Sequence, residues 1–268
     1  MERYRLKNII ILILFLLNGF LLSTLIARES EERSLLRRTE EELVELFAAS
    51  GITLEADAIS WDGPPAPVTV SRSESLEFSA AKFLLGENLR NATQGGVSSY
   101  SGERGAAQFR AGGSFEAAGT LAQTDGADFC RRFCREFSYT EPTFTLDESG
   151  SGTATAVLQY EKHAVYNAAV TFLLEKGAVT GVSGTLLPSE GGSAVAESDE
   201  LLTAAAALTA FQQMRQEEST VASSILETRL CYELQSTSSA LILGSAWCIV
   251  TDIAIYYVNC STGAITVG

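Results

Sequence analysis

One histidine stands in the 268 residues, and its scarcity excludes most nucleophilic or acid–base sites built on imidazole. That residue, His163, sits in Gln159-Tyr160-Glu161-Lys162-His163-Ala164-Val165, which reads most simply as a hairpin between two strands. No G-x-S-x-G elbow, no G-x-x-x-x-G-K-[ST] phosphate loop and no G-x-G-x-x-G fingerprint occurs. Asp62-Gly63 and Asp125-Gly126 lack the hydroxyl residue that an aspartic protease places between its Asp and Gly, so both read as turn or cap signals. Cysteine is sparse: Cys130, Cys134, Cys231, Cys248 and Cys260 are too few, and odd in number, for a disulfide scaffold. Basic charge is also short. Nineteen Lys and Arg face 33 Asp and Glu, a net charge of −14, which argues against nucleic acid or an anionic membrane surface as a partner. Acidic pairs such as Glu217-Glu218 read as solvated helix surface. The expectation is a protein without catalytic residues, cofactor or metal.

What the sequence does have is one long apolar run. Residues 9–27, IIILILFLLNGFLLSTLIA, carry no charge, and as a helix they match the roughly 30 Å of a bilayer's hydrocarbon core. Arg3, Arg5 and Lys7 precede it, which places the N-terminus in the cytoplasm under the positive-inside rule. The rival is a cleaved signal peptide; the length of the run and the bulk of Leu25 before Ala27 favour an uncleaved anchor. The expected localisation is the cell membrane, single-pass, with residues 1–8 as a cytoplasmic tail and the C-terminal part outside. Asn18, Gly19 and Ser23 are small or polar residues that let membrane helices approach one another, and they are the candidate partner contacts.

Beyond the run, residues 28–51 read as a helix. Arg37 and Arg38 each precede a glutamate by four residues, Leu36, Leu43, Leu46 and Phe47 form one stripe, and Gly51 suits the C-terminal cap. That stripe packs on its own domain or on a partner's helix; the sequence does not choose. A Pro-rich linker, 61–67, lies within a small α+β module, 52–122, with a helix over 73–86 and short strands over 95–120. In the next module, 123–190, Asp125 caps a helix whose buried face is Phe129, Phe133 and Phe137, and four strand-like runs follow. Cys130 and Cys134 adjoin that face as small hydrophobes. The last module, 191–268, repeats the order: a helix over 200–216, then strands over 221–235, 240–251, 253–259 and 264–267. The fold class expected is α+β: an N-terminal transmembrane helix, then tandem modules of one helix on an antiparallel sheet of about four strands. Tyr160, Tyr166, Tyr232, Tyr256 and Tyr257 are candidates for a contact face, although packing within the sheet accounts for each singly.

Trp247-Cys248-Ile249-Val250, Tyr256-Tyr257-Val258-Asn259 and Ser261-Thr262-Gly263-Ala264-Ile265 resemble the "W-x-[IV] … YYVNAYTGEI" ending of the YycI/YycH regulators of Gram-positive bacteria. The chain departs from that pattern at Cys260 and Ala264. The resemblance covers about twenty residues, and the repeated helix-plus-sheet order is similar to the cystatin-like PepSY domains. It implies a non-enzymatic regulator of two-component signal transduction that contacts a membrane sensor histidine kinase, and a YycH-like companion, to adjust cell-wall metabolism. The alternative is a PepSY-like exported module that inhibits a protease or captures a peptide or wall component.

Overall fold

The computed structural model describes residues 18, 20, 22, 34–195, 201–218, 222–237 and 240–268, of which 44% are strand and 26% helix. Helix α1 is described over 34–49, and its stripe divides: Leu43 and Phe47 are buried, whereas Leu36 and Leu46 are exposed. The buried pair packs on the chain's own core, beneath helix α4 (Ala204–Glu218), as the first of the two alternatives has it, whereas the other two residues of the stripe stay outside that core.

The strands follow in order: β1 (Thr53–Leu54), β2 (Val68–Val70), β3 (Arg90–Gln94), β4 (Val97–Gly102), β5 (Gly105–Arg110) and β6 (Ser114–Ala122). Then come β7 (Thr143–Leu146), β8 (Gly152–Tyr160), β9 (His163–Glu175), β10 (Ala178–Thr185) and β11 (Ser193–Ala194). The C-terminal set is β12 (Ser224–Ser236), β13 (Leu241–Thr251), β14 (Ile255–Asn259) and β15 (Ile265–Val267). Helices α2 (Glu74–Leu85) and α3 (Gly126–Glu136) share one core. Ser73 caps α2 by accepting the Leu76 amide, and Gly86, at φ 98°, ends it. Asp125 precedes α3 in the left-handed conformation and makes no side-chain cap, so its expected capping bond is absent. Phe129, Phe133 and Phe137 are buried as their four-residue spacing predicts, and Phe83 of α2 lies 5.1, 5.5 and 5.9 Å from their rings.

The fold class differs from the expected tandem of separate α+β modules. Among the described residues the protein is mostly β, and fifteen strands join in one mixed sheet with four α-helices packed on it. Five pairings cross the expected units, β1 with β12 and β2 with β11 among them. Strand β6 runs antiparallel to β10 from Ser114 to Ala122, β2 pairs with the first residues of β13, and Val165 of β9 bridges Tyr232 of β12 in parallel. Period-two alternation identifies a strand but leaves its two edges unassigned, and here those edges are taken by neighbours distant in the chain. Strand β9 outruns its partner β10, 13 residues to 8, and the uncovered end is where β12 attaches. Asn167 reinforces the junction by imitating a strand: its amide donates to the Leu234 carbonyl at 2.9 Å and its Oδ1 accepts the Leu234 N–H at 2.8 Å.

The expected membrane span is corrected as well. Among the described residues no helix is long and apolar enough to cross a membrane. Within 9–27 only Asn18, Phe20 and Leu22 are described, each helical and exposed; Gly19 and Ser23, with the rest of that stretch, lie outside the described residues. Apolar composition makes a segment compatible with lipid, but spanning also requires about 20 continuous helical residues. The single-pass topology and membrane localisation drawn from composition fall with the span.

Candidate functional site

Strand β13 sorts its side chains by parity. Trp247 and Ile249 face α4 and α1 and belong to their core, whereas Ala246 and Cys248 point to the opposite face and cluster with Cys231 of β12. The Trp247 indole donates to the Leu202 carbonyl at 2.8 Å, which fixes the inward register. Small residues thus floor the second face. Over them lie two tyrosines from distant strands, Tyr166 of β9 and Tyr257 of β14, stacked with ring centroids 3.8 Å apart and planes 8° from parallel. Both rings are half-buried. Tyr166 reaches this position because the Asn167 clasp holds the end of β9 against β12.

Beside the stack is a cavity of about 180 Å³ that also takes in Glu233, Asn259 and Thr266. The Glu233 carboxylate accepts from Gln235 Nε2 at 3.0 Å and from Asn259 Nδ2 at 2.7 Å. Asn259 is doubly employed. Its Oδ1 accepts the amides of Ser261 and Thr262 at 3.0 Å each, shaping the turn into β15 and leaving its amide hydrogens for Glu233. The Tyr166 hydroxyl lies 3.4 Å from Thr266 Oγ1. Burial raises the Tyr166 phenol above its ordinary value and pushes Tyr257 up to about 12, so both remain neutral at physiological pH. A neutral aromatic wall beside a fixed carboxylate suits noncovalent recognition.

The residues weighed for chemistry take structural positions. His163 opens β9 opposite Tyr160, across a turn in which Glu161 and Lys162 both have positive φ, and its ring meets Tyr232 edge-on at 6.0 Å. All five cysteines are buried free thiols; burial pushes Cys130, Cys134 and Cys260 up to about 12 and raises Cys231 and Cys248. Of the five tyrosines singled out, Tyr160, Tyr232 and Tyr256 are buried, and only Tyr166 and Tyr257 meet at the surface. Sequence reasoning missed Glu233. Its signal was present as alternation, since Glu233 follows the buried Tyr232 and therefore faces the other way.

Two other concavities are lined in part by arginines that are already paired. The cavity near Phe129 contains Arg132, which is bound to Asp128 at 3.0 Å, and the one beside β2 contains Arg72, which is clamped to Glu77. Fold and site together define a mostly β protein with an open aromatic-and-carboxylate face. No family model matches the chain, and no curated protein matches it either.

Proposed function

We propose that the chain is a non-enzymatic regulator that acts by docking on a sensor histidine kinase through the Tyr166–Tyr257 face. The observation that carries this reading is the half-buried stack itself, two large rings at the surface over a floor of small buried residues. Aromatic residues of this kind contribute large contact area at low conformational cost and are enriched where proteins bind one another. The kinase as partner comes from the C-terminal resemblance. Its residues include Tyr257 and Asn259, both at the site, and Trp247, which anchors the opposite side of the same sheet.

The test is co-isolation of crosslinked complexes from native cells. The wild-type chain and a Tyr166→Ala/Tyr257→Ala variant of unchanged thermal stability are compared. A sensor histidine kinase recovered with the wild type and lost with the variant is the expected result. Equal recovery with both removes the tyrosine face from the account, and recovery of no kinase removes the kinase. The cavity, large enough for one side chain of a peptide, admits a second reading, a PepSY-like module that captures a peptide, which retention of short peptides by the isolated chain would support.

A further inference from the structure

We propose that the cavity beside the tyrosine stack receives one cationic side chain, lysine or arginine, from a basic segment of the docking partner; the inference rests on the docking reading above. Glu233 is the centre of the argument. The groups that donate to it, the Gln235 and Asn259 amides and the Tyr166 hydroxyl, are neutral, so they fix the carboxylate without neutralising it. Among the described residues no basic side chain is ion-paired to it. Arg229, four residues earlier on the same face of β12, is instead directed to Glu227 at 3.4 Å. A half-buried carboxylate held in this way favours a cation that brings its own donors, because the charge is partly withdrawn from water while its geometry is already set.

The surroundings select the shape of that cation. Tyr166 and Tyr257 supply an apolar wall against which the methylene stem of lysine or arginine can lie, with its charged head at Glu233. Thr266 adds a hydroxyl at the rim. At about 180 Å³ the cavity is smaller than the roughly 300–1,000 Å³ of sites that enclose whole small molecules, and it suits a single side chain presented on a larger surface. The chain's net charge of −14 draws a basic segment towards it and hastens encounter.

Calorimetric titration of the full chain with an oligolysine peptide, at low ionic strength, tests the inference. The fully acetylated peptide serves as the neutral control. Oligolysine is expected to bind and its acetylated form not to. Glu233→Gln keeps the acceptor oxygen and the shape of the side chain, so the fold is retained, and it should weaken binding about tenfold. Glu136→Gln, which removes one exposed charge from α3, should change it less than about twofold. Equal weakening by the two substitutions would assign the binding to net charge and overturn the inference, as would failure of oligolysine to bind. Kinase recovery that depends on the tyrosines but is indifferent to Glu233→Gln would overturn this inference alone and leave the docking reading standing.

Discussion

Glu77 is the most consequential buried carboxylate, at 5% exposure, and Arg72 holds it through two guanidinium nitrogens, with Nη2 2.7 Å from Oε2. The same guanidinium donates to the Gly96 carbonyl at 2.9 Å and to Ser98 Oγ at 2.7 Å, tying α2 to the turn between β3 and β4. Removing one member of such a pair strands the other. Glu77→Ala should lower stability by about 3 kcal/mol in urea denaturation, well beyond an exposed glutamate. The thiols give a second residue-scale prediction. Burial raises Cys130, Cys134 and Cys260 from an ordinary value of 9.0 to about 12. Between those values the folded state holds protons that the unfolded chain releases, so the stability they contribute is complete below about pH 9 and is lost as pH rises towards 12. Denaturation midpoints should therefore fall across that interval. Iodoacetamide at pH 8 should leave all five cysteines unlabelled until the chain is unfolded, as read by mass spectrometry.

At the scale of elements, β5 and β6 approach closely where Gly105 and Gly119 oppose each other. Both have φ 148°, and a Cβ on Gly119 would stand 2.1 Å from the Arg104 carbonyl oxygen. Gly119→Ala should cost about 3 kcal/mol, measured by thermal or urea unfolding, and Gly63→Ala, where a Cβ meets nothing within 4 Å, should cost far less. Elements of this kind were largely legible in the sequence. Expected strand 143–146 is β7, the expected helix 73–86 is α2 at Glu74–Leu85, and the three-phenylalanine face of α3 is buried as its spacing requires. Local period and turn chemistry encode these features within a few residues. The pairing of β6 with β10 and of β9 with β12 was not legible, because side-chain alternation describes the faces of a strand and is silent about its edges. The candidate site was half legible for the same reason. Tyr166 and Tyr257 stood out as aromatics, but their stacking depends on β9 and β14 meeting across 91 residues of chain.

For the whole molecule, continuity of the sheet makes the two main cores mechanically dependent. One lies under α2 and α3 and the other under α1 and α4, and Asn167 is part of the seam between β9 and β12. Asn167→Ala removes two hydrogen bonds at that seam. It should cost about 1–2 kcal/mol and broaden the urea transition, a change in slope as well as midpoint, as the halves begin to unfold separately. It should also loosen the tyrosine stack, since Tyr166 adjoins Asn167 on the same strand end. The central claim is that this face meets a sensor histidine kinase. It is tested most directly by placing a photoreactive amino acid at position 257, or at exposed Leu146 as a control, and identifying the adducts formed in native cells. A kinase adduct from position 257 and none from position 146 is the predicted result. Adducts to a kinase from both positions alike, or from neither, would contradict it.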